Sequence, residues 1–458
     1  MIESFNPATQ QMLAQYPPHS GDEIEQRLQR ASQTQKRWAA LAISERMLLL
    51  RQVAATLRDN AGDYARIITL EMGKTITESR AEVEKCATNF DFYADQAPRF
   101  LQDDVVPSSA SDSRIVYDPI GLVLAVMPWN YPFWQVMRAA APVLAGGNGL
   151  VLKHASNVPQ CALALQQIFL KAGLPEGIFT ALMVDSSAVA PLINDPRIAA
   201  VTFTGSTPVG RMIAAQAGQA LKKQVLELGG SDPFIVLADA DIEQAAATAV
   251  KARFQNAGQS CISAKRFIVE ESVAQAFVDA FCHFTARLVM GDPLQAATTM
   301  GSMARLNLRD DLHAQVQATV AQGARLLMGG APLEGKGAFY QPTVLDHVTS
   351  TMTAAREETF GPVAAILRVR DAHEAIKIAN STDFGLGAAL WTTDLARAQT
   401  LSHEIEAGSV FVNGMVASDP RLPFGGTKQS GYGRELGMFG LHEFTNIKTV
   451  WTGPNRPA

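Results

Sequence analysis

The stretch Pro119-Ile120-Gly121-Leu122-Val123-Leu124-Ala125-Val126-Met127-Pro128 decides how this chain folds. Its apolar residues run unbroken from Ile120 to Met127, with Pro119 and Gly121 at the entry and Pro128 at the exit. Such a run suits a strand buried on both faces, as in a parallel sheet covered by helices. Downstream, helix and strand alternate. Residues 132–144, 158–172 and 208–218 read as helical, and residues 149–152, 177–183, 198–203 and 224–227 read as strands. A second alternation has strands at 234–237 and 266–270, helices at 242–254 and 273–289, and further units to about residue 415. The pattern predicts an α/β fold with mostly parallel sheets. Breaks near Gly229-Gly230 and after Gly408 are candidate domain edges.

Upstream, residues 22–104 read as helices. Asp22 is placed to cap a helix over 23–39, and Ser44 to cap one carrying the stripe Met47, Leu50, Val53, Ala54 and Leu57. A third helix is expected near 77–93, a surface excursion over 335–350, and a short strand over 444–452 that could pair with another subunit.

With 458 residues, 47% of them apolar, the chain can bury a large core without disulfide or metal staples. A net charge of −5 implies no basic face for nucleic acid. The start of the chain carries no apolar signal segment, and the apolar run through 120–128 is far too short to span a bilayer. The four cysteines show no metal-ligand spacing, and no HExxH is present, so no metal is expected. These features together predict a soluble cytoplasmic protein with no membrane partner.

Four segments carry chemistry. In Gly258-Gln259-Ser260-Cys261, a Cys follows a helix in a polar loop, where a thiolate can act as nucleophile; a packed, inert thiol is the plainer reading. In Glu227-Leu228-Gly229-Gly230, a strand ends in a carboxylate that burial could tune into a general base, or that is simply a strand-end Glu. Asn130, after the apolar strand, could donate to an oxyanion or cap a turn. Phe203-Thr204-Gly205-Ser206 leads from strand to helix, where backbone N–H groups could meet a phosphate; there is no GxGxxG, and Ser206 could equally be a simple N-cap.

In order along the chain stand PWN (128–130), VLK (151–153), FTGS (203–206), ELGG (227–230), GQSC (258–261), EETFGP (357–362) and PFGGTKQSG (423–431). With these motifs the chain resembles the aldehyde dehydrogenase superfamily over nearly its whole length. The resemblance implies a Rossmann-like cofactor domain (1–104 and 120–229), an α/β catalytic domain (230–430) and a small β oligomerisation arm (105–119 and 431–458), in a homodimer or homotetramer. It implies Cys261 as nucleophile, Asn130 and the Cys261 N–H as oxyanion donors, and Glu227 as the base that activates the deacylating water. The presence of Glu227 favours hydrolysis of the thioester over transfer to coenzyme A.

For NAD or NADP, the resemblance implies Lys153 at the adenosine ribose, Gly205 and Ser206 at the pyrophosphate beside Trp129, Glu358 at the nicotinamide ribose and Phe360 packed next to it. Three residues after Lys153, where many NAD-preferring relatives carry Glu, stands Ser156. A carboxylate there would repel a 2′-phosphate, so NADP is admissible; Ser156 could also cap a helix starting near Asn157. His154, in place of the commoner Pro, has no account at this level.

Arg138 stands eight residues after Asn130, as in relatives that oxidise succinate semialdehyde, and would pair with the distal carboxylate. Position 255, an Arg in many of them, is Gln255, with Arg253 out of register by two. Ser418, and with it Arg421, complete the expected substrate contacts. The closest likeness is to the shorter bacterial succinate-semialdehyde dehydrogenases. Glutarate semialdehyde, aliphatic or aromatic aldehydes form the second reading, and a catalytically idle binding protein the third. Ile262-Ser263 after the nucleophile leave no neighbouring cysteine for a local disulfide switch.

Overall fold

The computed structural model describes residues 1–453. The apolar stretch forms the strand Leu122–Val126, buried at every residue. It lies between Gly149–Lys153 and Ile198–Thr204, parallel to both. Phe179–Leu182 and Lys223–Glu227 extend the parallel sheet, and Gly431–Tyr432 closes one edge antiparallel. The register sets Val126 opposite both Lys153 and Phe203, and Thr204 opposite Glu227. The segments that follow these strands therefore emerge side by side at one edge, where open α/β sheets bind ligands.

A second sheet of seven strands has the spatial order Arg325–Met328, Thr343–Asp346, Val363–Val369, Ala264–Glu270, Asp232–Val236, Gly387–Trp391, Ser409–Val412. It is parallel except for its first pair. Aromatic residues fill one of its faces, with Phe234 stacked 5.8 Å from Trp391 and Phe267 5.0 Å from Phe281. Residues 343–346, within the expected surface excursion, are a fully buried strand of this sheet. Four residues are too few for a period to stand out.

The N-terminal helical region holds four helices, not three: Gly21–Ala39, Ile43–Asp59, Ala61–Met72 and Ile76–Phe100. Ala61–Met72 is missed from sequence because only Asn60 separates it from its predecessor. Ser20, not Asp22, caps the first helix, through reciprocal bonds with Glu23. Ser44 lies inside the second helix, whose Ala42 N–H donates to Glu45 at 3.0 Å.

A third, small sheet pairs Thr445–Thr452 along its whole length with Asp112–Pro119 of the same chain, and the latter with Asp104–Val105. The expected C-terminal strand is the edge of this sheet, paired on one side within its own chain and unpaired on the other among the described residues. Residues 431–432 pair with the first sheet, and the helix Gly437–His442 packs on the helices Ile76–Phe100 and Trp134–Ala145.

Candidate active site

The site starts from a cap supplied at long range. Glu82, buried on the helix Ile76–Phe100, accepts from the N–H groups of Phe133 and Trp134 at 2.9 Å each. Its other oxygen pairs with the buried Lys74 at 2.5 Å. A carboxylate on the first N–H groups satisfies donors that a helix end otherwise leaves orphaned. The helix Trp134–Ala145 accordingly starts two residues later than its sequence suggests. Between these helices and the second lobe lies a cavity of about 710 Å³, lined among others by Cys261, Arg138, Lys85, Gln255, Ser418 and Phe424.

Cys261 reaches the cavity through a tightly turned loop. After the helix Ile242–Phe254, Asn256, Ala257 and Gly258 all take positive φ (56°, 51° and 69°). Left-handed backbone at a residue such as Ala257 is strained and persists only where neighbours over-determine it. Those neighbours are present. Asn256 N–H donates to Glu78 at 2.6 Å, and its Nδ2 donates to the carbonyls of Asn130 (3.0 Å) and Gln259 (2.9 Å). Arg253 is buried and donates to the carbonyls of Ala264, Gly258, Thr359 and Gly361, so it braces the loop and is no substrate contact. At Gly258 any Cβ would lie 2.3 Å from the Gly361 carbonyl oxygen, which explains the glycine. Lys265, fully buried, donates to the carbonyls of Ser260 (3.1 Å) and Cys261 (2.8 Å).

Burial pushes the Cys261 thiol up to about 12, with Arg138 and Lys265 drawing it down and Glu227 and Glu358 raising it further. The thiol is therefore protonated at neutral pH, and its thiolate fraction grows tenfold per pH unit below that value. Iodoacetamide labelling of residue 261 in the ligand-free protein, followed by mass spectrometry, is expected to accelerate nearly tenfold per unit between pH 7 and 9. A flat rate over that range contradicts this environment.

Asn130 is buried and gives one amide hydrogen to the Gln259 carbonyl at 3.1 Å, which leaves the second hydrogen of its Nδ2 for a ligand. Glu227 is 1% exposed, and neither carboxyl oxygen has a hydrogen-bond partner. Burial first, and the Glu435 carboxylate second, hold it well above the usual carboxylate range, against the pull of Arg138 and Arg434. Glu435 in turn forms an ion pair with Arg138. Arg138 is 2% exposed and packs its guanidinium 4.6 Å from the Phe424 ring, so it is no surface residue.

The expected cofactor residues line the sheet edge and the cleft beside it. Glu358 accepts from Gly230 N–H at 3.1 Å and lies 3.4 Å from Lys265. A Cβ on Gly229 would fall 2.5 Å from its second oxygen, so the ELGG glycines permit this approach. Phe360 meets Trp129 edge-on at 5.8 Å. Lys153 ends its strand half-buried and forms no ion pair with the described residues; burial lowers its pKa. Ser156 is exposed and caps nothing, since the next helix begins at Pro159 after Val158. Ser206 occupies the N-cap position before Thr207–Gln219, next to Gly205, but makes no side-chain cap bond. His154 now has an account. Its Nδ1 accepts from Ala155 N–H at 2.9 Å, so Nε2 carries the proton and donates to the Pro132 carbonyl at 2.8 Å. The neutral ring, its pKa lowered to about 4 by burial, ties the Asn130 turn to the end of the Lys153 strand.

The tertiary structure thus brings Cys261, Arg138, Gln255 and Ser418 to one cavity. It does not bring Arg421, which is exposed and paired with Asp419 at 2.5 Å. Sequence reasoning missed Glu435, Lys265 and Lys85. A signal existed for the last: Glu78, Glu82 and Lys85 share one helix face at i, i+4, i+7, but a charged stripe ordinarily reads as a solvated one.

The aldehyde dehydrogenase family profile matches residues 1–450. The chain is 51% identical over 448 residues to a succinate semialdehyde dehydrogenase, NAD(P)+, of Escherichia coli strain K12, covering 98% of this chain and 97% of that one. It is 50% identical over 450 residues to a probable succinate-semialdehyde dehydrogenase, NADP(+), of Synechocystis sp., covering 98% and 99%. Among solved structures, succinic semialdehyde dehydrogenase from Streptococcus pyogenes in complex with NADP+ superposes with a TM-score of 0.97 at 36% identity, over 99% of this chain and 100% of that one. With a thiol, an amide donor and a buried carboxylate set around the junction of its two sheets, and with these likenesses along its whole length, this chain belongs to the aldehyde dehydrogenase family.

Proposed function

We propose that this chain oxidises succinate semialdehyde to succinate with NAD or NADP. One observation carries the choice of substrate: a buried arginine, Arg138, lines the same cavity as the Cys261 thiol. A short aldehyde held at the sulfur would extend its far carboxylate along that cavity. The relatives named above for this substrate, at about half the residues identical, support the reading.

The residues at the sheet edge fit a dinucleotide. Lys153 forms no ion pair with the described residues, Asp185 being its nearby anion, and the Ser206 side chain leaves the first N–H groups of its helix uncapped. Ser156 puts no negative charge where a 2′-phosphate would sit, which supports use of NADP as well as NAD. Glu358 and Phe360, beside Trp129, would hold the nicotinamide end. Bound there, the dinucleotide supplies the hydride acceptor.

The protein's own groups do the rest. The Cys261 thiol gives its proton to solvent water, and its sulfur bonds to the aldehyde carbon as the carbonyl π pair moves to oxygen, giving a thiohemiacetal anion. The free amide hydrogen of Asn130 and the Cys261 N–H meet the new oxyanion. Loss of hydride leaves a thioester on Cys261. Glu227 takes a proton from water, whose oxygen attacks the thioester carbon and expels the thiolate with succinate. Since the folded site raises the Glu227 pKa, its basic form gains population as pH rises.

Steady-state rates with succinate semialdehyde, glutarate semialdehyde and butyraldehyde, each with both cofactors, test the proposal. Equal kcat/KM for butyraldehyde and succinate semialdehyde would refute it. In Arg138→Ala, KM for succinate semialdehyde is expected to rise roughly ten- to a hundredfold relative to that for butyraldehyde, the worth of one charge-assisted contact. The comparison between substrates cancels any general damage from leaving Glu435 buried without its partner. A broader aldehyde dehydrogenase is the second reading, favoured by the compensation of Arg138 by Glu435.

The small sheet leaves Ile447, Val450 and Trp451 exposed on its C-terminal strand, which supports a subunit contact in a homodimer or homotetramer. All four cysteines are free, in keeping with the cytoplasm. No helix among the described residues is long and apolar enough to cross a membrane.

A further inference from the structure

Arg138 alone makes a poor anion site. Its positive charge is already met by Glu435, so the pair is close to neutral. A carboxylate entering a partly apolar cavity loses its water and needs a cation that is not already neutralised. Two lysines of the lining form no ion pair with the described residues, Lys251 and Lys85; Lys251 is exposed, and Lys85 is the one beside Arg138. Lys85, on the helix Ile76–Phe100, projects its Nζ into the same lining and makes no ion pair with the described residues. Its hydrogen-bond partner is the Ser418 hydroxyl at 2.7 Å, and its Nζ stands 4.4 Å from the Trp134 ring centre. Trp134 and Arg138 are four residues apart on one helix, hence on one face and about 6 Å apart along the axis. The two cations therefore flank one short section of the cavity wall. Gln255, which also lines the cavity, carries no charge.

We infer that Lys85, held in place by Ser418 and the Trp134 ring, binds the distal carboxylate of the substrate together with Arg138. This rests on the succinate semialdehyde reading and deepens it. Ser418 becomes a positioning residue, whose hydroxyl accepts from the lysine and fixes where the ammonium sits. The electrostatics agree. Burial, and Arg138 after it, lower the Lys85 pKa to about 8, while Cys86, Glu82 and Asp419 work the other way. An anion between Lys85 and Arg138 relieves their repulsion and restores a fully charged ammonium.

The test compares wild type, Lys85→Met and Lys85→Arg, with NADP, on succinate semialdehyde and on butyraldehyde. The ratio of kcat/KM for the charged over the uncharged aldehyde is expected to fall roughly ten- to a hundredfold in Lys85→Met, through KM of the charged one. It is expected to recover most of that in Lys85→Arg, which a merely structural role would not bring about. Should Lys85→Met not fold, Lys85→Gln removes the charge with the stem retained and is read in the same way. A wild type that prefers succinate semialdehyde, with a ratio unchanged within twofold in the uncharged variant, overturns the role of Lys85 and leaves the substrate standing. A wild type with no preference overturns the substrate reading and this inference with it.

Discussion

Cys261→Ala is expected to lose aldehyde oxidation by roughly 10⁴-fold or more in kcat, with dinucleotide binding retained. The size follows from what the sulfur does. Without it no thiohemiacetal forms, and a hydrated aldehyde would have to surrender its hydride with no covalent step to divide the barrier. The loop itself should survive the change. Its shape is held by Arg253, Asn256 and Lys265, none of which bonds to the sulfur. Truncating one partly exposed thiol removes little buried apolar surface. Dinucleotide binding can be followed by quenching of tryptophan fluorescence, with Trp129 adjacent to the expected nicotinamide site. Turnover within tenfold of wild type would show that another group is the nucleophile.

Glu227→Gln is expected to keep a rapid first turnover and to lose roughly 10²- to 10⁴-fold in steady-state rate. Gln is nearly isosteric, and neither oxygen of Glu227 has a hydrogen-bond partner that the amide would forfeit. The change also removes one of two facing buried carboxyl groups, so Glu435 should ionise more readily beside Arg138. Folding is therefore not expected to suffer. Stopped-flow absorbance of the reduced cofactor should show a burst close to one equivalent per active site, then a slow phase. In wild type the acid limb of the steady-state profile should lie above the usual Glu range, since a raised pKa delays ionisation to higher pH. Absence of the burst in the variant would place Glu227 before hydride loss and contradict its role in deacylation.

Much of the fold was readable because it is written in local patterns. The unbroken apolar run at 120–127 suited a doubly covered strand, and the βα alternation after it implied parallel pairing. Parallel register then requires the strand-end motifs to gather at one edge, as Val126, Lys153, Phe203 and Glu227 do. Gly258 and Gly229 stand inside two of the quoted motifs, and the structure supplies the reason for them: crowding leaves no room for a Cβ. The α/β class and the motif order were thus legible in the chain alone, as were the residues proposed above to carry the chemistry.

What only the tertiary structure decided is charge compensation. Glu435 lies 297 positions from Arg138 and Ser418 lies 333 from Lys85, and nothing local links either pair. Coulomb forces act through space, and in a buried site they are little screened, so the meaning of each charge depends on which others the fold sets beside it. A neutralised arginine, a lysine without an ion pair beside it and a carboxyl pushed toward neutrality are products of packing, and no window along the chain contains them.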